Sequence, residues 1–159
     1  MELRILKKKE KPIFENLLQL YLHEISYYFP ASYDSKMVIF NYDDINKYYD
    51  NTNNIIYLIV YGENNDIIGF ILVDKNDQEM YIQEIFVLNH YKNQEIGTRA
   101  VNKLLDMYKA NWTIKSLPNS KPAERFWKRT IKNYTNDNYK VEYVGKYSRA
   151  VFTFSNINI

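Results

Sequence analysis

The sequence predicts a mixed α/β (α+β) fold, with one mostly antiparallel sheet of about seven strands and helices on both faces. Two apolar, β-branched runs, residues 55–61 and 66–73, flank a short turn containing glycine and asparagine, which indicates a hairpin. Residues 80–108 change from strand periodicity to helical periodicity after a polar loop. A second hairpin pattern, residues 139–145 and 149–154, follows near the end of the chain.

The N-terminal region adds a strand and a helix. Residues 3–6 predict the first strand, and Pro12 suits the first turn of a helix that ends near Tyr28, before Pro30. Apolar side chains recur along this helix at helical spacing, at Phe14, Leu17, Leu18, Tyr21, Ile25 and Tyr28. The pattern therefore predicts that one face of the helix packs on the sheet.

Less regular segments connect this helix to the first hairpin. Residues 31–40 show no periodicity, and Asp43 and Asp44 can cap a short helix that ends near Tyr49. Residues 50–54 are polar and predict a loop.

The second half of the chain alternates strands with amphipathic helices. The fourth strand covers residues 80–88, and after a polar loop a helix begins near Gly97. The apolar face of that helix contains Ile96, Ala100, Leu104, Leu105 and Tyr108. Residues 112–117 predict a fifth strand parallel to the fourth, because a helix crosses between them. A last helix begins near Lys121.

The strand, loop and helix over residues 80–108 have a defined chemical use. The first turn of a helix presents unpaired backbone N–H groups, and the helix dipole adds partial positive charge there. The unit therefore predicts an anion site suited to a phosphate or pyrophosphate. The spacing is neither that of a P-loop nor that of a dinucleotide-binding GxGxxG motif.

This unit resembles the CoA-binding signature of the GNAT superfamily of CoA-dependent N-acyltransferases. The signature is Gln/Arg-x-x-Gly-x-Gly/Ala after a strand of the form apolar-x-Val, here Ile85-Phe86-Val87. Gly97 keeps the second glycine, whereas Glu95 replaces the first glycine and Lys92 replaces the Gln/Arg.

A second GNAT motif, Asn-x-x-Ala-x-x-Phe-Tyr, has its counterpart after the fifth strand. Ala123 and Phe126 match it, Ser120 stands at the asparagine position with Asn119 one residue earlier, and Trp127 replaces the tyrosine. Three segments resemble a branch of predicted bacterial acetyltransferases more closely, residues 16–23, 84–88 and 121–128. The resemblance implies one GNAT-like domain over residues 1–159, with a splayed parallel pair at strands four and five.

The resemblance also implies site residues, with acetyl-CoA as co-substrate. The implied pyrophosphate contacts are Lys92, Asn93, Gln94, Glu95, Ile96, Gly97 and Thr98; the further cofactor contacts are Ile85, Phe86 and Val87 for the pantetheine arm, with Asn119, Ser120 and Phe126. The Val87 N–H would hold the oxyanion. Gly97 either allows close approach of the phosphates or serves helix packing, and Glu95 would repel a phosphate unless it points to solvent.

An acceptor amine with a pKa of about 10.4 must lose a proton before it attacks a thioester. Glu84 is the candidate general base, because it lies on the fourth strand just before the pantetheine segment and a charged residue is unusual in a central strand. A solvent-facing strand position, or a structural partner for a basic residue, would also explain Glu84.

Trp127 is not a usable acid, and nothing in the sequence selects Tyr134 or Tyr139 in its place. The tyrosines between residues 21 and 49 either line the acceptor site or pack the helices on the sheet.

Composition excludes several other classes of function. A net charge of +2 is not a nucleic-acid footprint, and the absence of cysteine excludes thiolate metal sites and a cysteine nucleophile. Two distant histidines, His23 and His90, do not indicate a metal site. No signal peptide pattern or spanning apolar run occurs, so we expect a cytoplasmic protein without membrane contact.

The leading hypothesis is an N-acetyltransferase that acts on a small-molecule or peptide amine. The alternatives are a CoA-binding regulatory module with little or no catalysis, suggested by Glu95, Ser120 and Trp127, and an interaction domain that does not bind CoA. The sequence does not name the acceptor, the acyl chain or the oligomeric state, and a homodimer is left open.

Overall fold

A seven-stranded sheet forms the centre of the protein in the computed structural model, which describes residues 1–50 and 52–158. The strands are β1 (Glu2–Ile5), β2 (Tyr33–Asp34), β3 (Ile39–Phe40), β4 (Asn54–Tyr61), β5 (Asp66–Lys75), β6 (Glu79–Val87), β7 (Asn111–Lys115), β8 (Lys140–Val144) and β9 (Arg149–Ser155). The helices are α1 (Lys11–Ile25), α2 (Lys47–Asp50), α3 (Ile96–Met107) and α4 (Lys121–Thr135).

The strand order in the sheet is β1-β4-β5-β6-β7-β9-β8. All neighbours are antiparallel except β6 and β7, which are parallel. The predicted fold class is therefore confirmed, including the parallel fourth and fifth strands of the sequence analysis, which are β6 and β7. The predicted loop over residues 50–54 includes Asn51, which lies outside the described residues, and ends where β4 begins at Asn54.

The segment over residues 31–40, expected to be irregular, contains the small β2–β3 ladder instead. The side chain of Gln19 in α1 donates to the Phe40 carbonyl at 3.0 Å and accepts from the Phe40 N–H at 2.8 Å. These two bonds satisfy both backbone groups of Phe40. They tie β3 to α1, a long-range contact without a periodic signal in the sequence.

Each face of the sheet carries its own hydrophobic core. One core lies under α3 and α4 and includes Ile96, Ala100, Leu104 and Ile131. The other lies under α1 and α2 and includes buried side chains of α1 together with Phe70, Leu72 and Phe86 of the sheet: Phe14, Leu17, Leu18, Tyr21, Leu22 and Ile25. Helices thus cover both faces, as their amphipathic patterns predict.

A β-bulge in β6 decides which face each of its side chains takes. Leu72 pairs with Glu84 and Val73 pairs with Ile82, so Gln83 is an extra residue opposite β5. Met80 and Ile82 pack in the α3–α4 core. Regular alternation would place the side chain of Glu84 on that same face. The bulge shifts the alternation by one residue and places Glu84 on the α1 face, with Phe86.

None of the helices in the described ranges is long and apolar enough to cross a membrane.

Candidate active site

The candidate site is a cavity of about 600 Å³ at the point where β6 and β7 diverge. The parallel pairing ends at Ile82 and Ile114, whereas β6 continues to Val87. The wall residues come from α1, β6, the loop before α3, the first turn of α3, the end of β7, the β7–α4 connection, α4 and the start of β9. A cavity of this size suits a small molecule or one arm of a larger cofactor.

The diverging strands leave backbone groups of β6 on an open edge. The Leu88 N–H donates to the Ile68 carbonyl at 2.8 Å and therefore points toward β5. Because successive N–H groups of a strand point in opposite directions, the Val87 N–H points toward the gap beside β7. Ile85 has the same orientation as Val87, and both line the cavity. This edge can accept an extended ligand as an added strand.

Glu84 lies on the cavity wall, and two tyrosines hold its carboxylate. The Tyr21 hydroxyl donates to Oε2, and the Tyr42 hydroxyl donates to Oε1 at 3.3 Å. Part of the side chain remains in contact with the cavity, but protein surrounds the rest. Desolvation by this burial raises the pKa of Glu84 to about 7, against the opposing effects of the Tyr21 bond, the Arg149 charge and the Tyr42 bond. A carboxyl with this pKa can exchange a proton near neutral pH.

The loop before α3 adopts the backbone conformation that favours glycine at two non-glycine positions. Asn93 has φ 62° and Glu95 has φ 59°. Glu95 is the N-cap of α3 and occupies the position of the first motif glycine. A glycine would adopt this left-handed conformation without steric cost. The side chain of Glu95 is exposed to solvent.

Gly97 lies in the first turn of α3, against the ring of Phe126 in α4. A Cβ atom at Gly97 would lie 3.3 Å from Cε2 and 3.4 Å from Cζ of Phe126. Helix packing therefore favours a small residue here, and Gly97 also lines the cavity. Both explanations of Gly97 fit the structure.

Most of the residues predicted to contact the cofactor line this one cavity. They are Ile85, Val87, Lys92, Asn93, Glu95, Ile96, Gly97, Thr98, Ser120 and Phe126. Lys92 Nζ lies 2.6 Å from Glu24 Oε1, and the Thr98 hydroxyl lies 3.3 Å from the Thr130 hydroxyl. Ser120 caps α4, accepting from the Ala123 N–H at 3.3 Å.

Three predicted contacts do not line the cavity. Phe86 is buried in the α1 core, where it packs on the rings of Tyr21 and Phe70. The Gln94 side chain donates to the His90 carbonyl at 3.2 Å, and the Asn119 side chain donates to the Tyr28 carbonyl at 3.3 Å.

The structure adds basic residues that the sequence analysis did not identify. Arg149 at the start of β9, Lys115 at the end of β7 and the exposed Arg129 of α4 line the cavity. Arg129 precedes Thr130, the neighbour of Thr98. Its spacing of three residues from Phe126 on a helix is the one signal that could have identified Arg129.

Trp127 stands where the motif has a tyrosine, and it supplies no acid in place of that tyrosine. Trp127 is buried, packs on Phe126 with ring centroids 5.0 Å apart, and lines the cavity. The Tyr134 hydroxyl donates to Asp106 at 2.9 Å, and Tyr139 packs on Phe152. Neither tyrosine lines the cavity. Among the described residues, no group of three or more His, Cys, Asp or Glu side chains could hold a metal ion.

Comparison with solved structures shows the same fold. A GNAT acetyltransferase from Elizabethkingia anophelis with acetyl-CoA bound is 21% identical, with 97% of each chain covered and a TM-score of 0.57. Naa50 of Arabidopsis thaliana, in complex with the bisubstrate analogue CoA-Ac-MVNAL, is 18% identical, with 97% of each chain covered and a TM-score of 0.61.

A third structure is spermidine N-acetyltransferase from Vibrio cholerae in complex with CoA and spermine. It is 12% identical, with 96% of this chain and 92% of the other covered and a TM-score of 0.59. No curated protein sequence matches the chain significantly. The profile described as the acetyltransferase (GNAT) family matches residues 15–131, which is most of the sequence. The chain therefore belongs to the GNAT family of acetyltransferases.

Proposed function

We propose that the protein transfers an acetyl group from acetyl-CoA to a primary amine by direct attack on the thioester. The observation that supports this most is the position of Glu84 on the cavity wall, close to the open edge of β6. A base with a pKa of about 7 and a backbone donor at Val87 are the two groups that the reaction requires. Acetyl-CoA and CoA occupy related folds, which supports acetyl-CoA as the co-substrate.

In the proposed reaction, Glu84 accepts a proton from the acceptor ammonium, directly or through a water molecule. The free amine nitrogen then attacks the thioester carbon, and the Val87 N–H stabilises the negative oxygen of the tetrahedral intermediate. Collapse of the intermediate breaks the carbon–sulfur bond, and the proton that the attacking nitrogen loses as it becomes the amide passes to the CoA thiolate, directly or through water. A thiol has a pKa of about 8.5, so its thiolate leaves without a dedicated acid.

The cofactor would lie along the cavity from the α3 loop to β6. Backbone N–H groups of Asn93 to Thr98 and the charges of Lys92 and Arg129 would hold the phosphates. The pantetheine amides would pair with the open backbone edge at Ile85 and Val87. Lys92 would then exchange its contact with Glu24 for a phosphate oxygen.

Acetyl-CoA at 100 times its dissociation constant is expected to raise the melting temperature by about 5–10 °C, because such a ligand adds about 2.7 kcal/mol. Gly97→Trp should abolish this shift, since its indole would displace Phe126 or fill the space beside the phosphate loop. Thermal melts with and without ligand measure both effects. Asn64→Trp, in the exposed β4–β5 turn, is the matched control and should keep the shift. Retained binding in Gly97→Trp would place the phosphates elsewhere.

Tyr21→Phe is expected to raise the pKa that governs the rate. The Tyr21 hydroxyl stabilises the ionised carboxylate of Glu84 and so lowers its pKa. Removing the hydroxyl should move the rising limb of the kcat/KM profile to higher pH. Tyr27→Phe, at an exposed tyrosine, is the control and should leave the profile unchanged. A Tyr21→Phe profile that stays in place, or moves to lower pH, would contradict the assignment of Glu84.

A further inference from the structure

Arg149 lies on the same face of the sheet as Glu84. Its neighbours along β9, Ala150 and Phe152, pack in the core under α3 and α4. Because side chains alternate along a strand, Arg149 takes the opposite face, which α1 and Glu84 share. Arg149, Glu84 and Tyr21 line the same cavity. Burial raises the pKa of Glu84, and the positive charge of Arg149 opposes that rise.

The guanidinium of Arg149 has donors to spare. Nε donates to the Ser116 carbonyl at 2.5 Å, which uses one of five N–H groups and fixes the plane of the fork. In the described part of the chain, no acidic side chain forms an ion pair with it. A half-buried arginine that lines a cavity without a carboxylate partner is suited to bind an anionic ligand group.

The phosphates of CoA are not the anion that this position favours. The loop before α3 leads into Ile96 and Ala100, which pack in the core on the other face of the sheet. Lys92 and Arg129 are the basic residues beside that loop. Arg149 instead lies with Glu84, where the acceptor must present its amine.

We propose that the acceptor carries an acidic group, a carboxylate or a phosphate, a few bonds from its amine, and that Arg149 binds this group. The proposal rests on the proposed acetyl transfer. Glu84 and Arg149 face one cavity but do not form an ion pair, so a zwitterion can lie between them with its amine toward Glu84. An amino acid or an aminoalkyl phosphate has this chemistry, whereas a polyamine does not. Arg149 would thus determine acceptor specificity.

The test measures CoA release with matched acceptor pairs. The pairs are alanine with alaninamide, lysine with cadaverine, and phosphoethanolamine with ethanolamine; the last pair separates phosphate from carboxylate recognition. The wild type is expected to prefer the acidic member by at least about 10-fold in kcat/KM, as expected for a hydrogen-bonded charge. Arg149→Gln should raise KM for that member about 10- to 100-fold and leave its partner and acetyl-CoA nearly unchanged.

Two further variants separate binding from a structural role. Arg149→Lys keeps the charge but loses the fork and should fall between the wild type and Arg149→Gln. If Arg149→Gln does not fold, the comparison of Arg149→Lys with the wild type is the test. Arg125→Gln removes an exposed arginine of α4 outside the cavity and should keep the wild-type preference.

An active wild type without acid preference would overturn the inference and leave the proposed function standing. Equal losses for both members in Arg149→Gln would assign Arg149 only to holding the end of β7 through Ser116. A rise in the acetyl-CoA KM alone would assign it to the cofactor. A wild type that binds acetyl-CoA but acetylates no amine would overturn the proposed function itself, and the inference with it.

Discussion

Replacing Glu84 by glutamine is expected to lower turnover about 100- to 10,000-fold while acetyl-CoA affinity stays within a few fold. The amide keeps the shape of the side chain, and its carbonyl oxygen can still accept a hydrogen bond from one of the two hydroxyls, Tyr21 or Tyr42, while its NH2 group faces the other. It cannot accept a proton from the acceptor. Steady-state CoA release and acetyl-CoA titration measure the two quantities. Glu79→Gln, at an exposed position of the same strand, is the matched control and should remain active.

The pH dependence gives a second readout of the same residue. Glu84 must be ionised to act as a base, and its pKa is about 7. The wild-type kcat/KM should therefore rise with pH through about 7, and the glutamine variant should lose this ionisation. A variant as active as the wild type, with the same profile, would refute the role of Glu84. A water molecule held by backbone carbonyls would then be the next candidate for the base.

Loss of stability should not explain the loss of turnover. In the unfolded chain Glu84 ionises near its ordinary pKa of 4.5, whereas in the folded protein it keeps its proton to about 7. The folded state thus binds more protons between these values, so the contribution of Glu84 to the free energy of unfolding falls as pH rises through this interval. The glutamine of Glu84→Gln does not titrate, so this variant does not lose stability through this residue as the pH rises. At pH 8 its melting temperature should equal or exceed that of the wild type.

Sequence periodicity predicted the fold because the spacing of apolar residues shows which side of each helix or strand faces the core and which side faces solvent. The apolar stripe of α3 and the apolar runs of β4 and β5 each reflect one buried face or a buried strand. The ends of the helices and strands differ from the predicted ends by a few residues where long-range hydrogen bonds override local preference. The β2–β3 ladder lies where periodicity gave no signal, and hydrogen bonds between Gln19 and Phe40, 21 residues apart, tie it to α1.

The candidate site was predictable only in part. Its charge within a central strand indicated Glu84, and the CoA-binding signature indicated the loop before α3. The bulge at Gln83 has no glycine or proline to mark it, yet it determines the face that Glu84 occupies. Tyr21 contacts Glu84 from α1, 63 residues earlier in the sequence. Arg149 lines the same cavity from β9, far later in the sequence. Only the tertiary fold brings these groups together.

Gly69→Ala is expected to destabilise the protein by about 3 kcal/mol or more, because the added methyl group has no room. An ideal Cβ at Gly69 would lie 2.1 Å from the Phe86 carbonyl oxygen and 3.1 Å from the Val87 Cα. Both atoms belong to the backbone of β6, so no rotamer change relieves the contact. The strands β5 and β6 would have to separate at Phe86 and Val87, which would displace the Val87 N–H.

The same substitution should therefore lower turnover even in molecules that remain folded, because it displaces the proposed oxyanion donor. Urea denaturation gives the free energy of unfolding, and CoA release gives the rate per folded molecule. Gly62→Ala is the control, since Gly62 has φ 77° but open space around it, and it should cost only about 1 kcal/mol with unchanged turnover. If Gly69→Ala matched the wild type in stability and rate, β5 would not be what positions Val87.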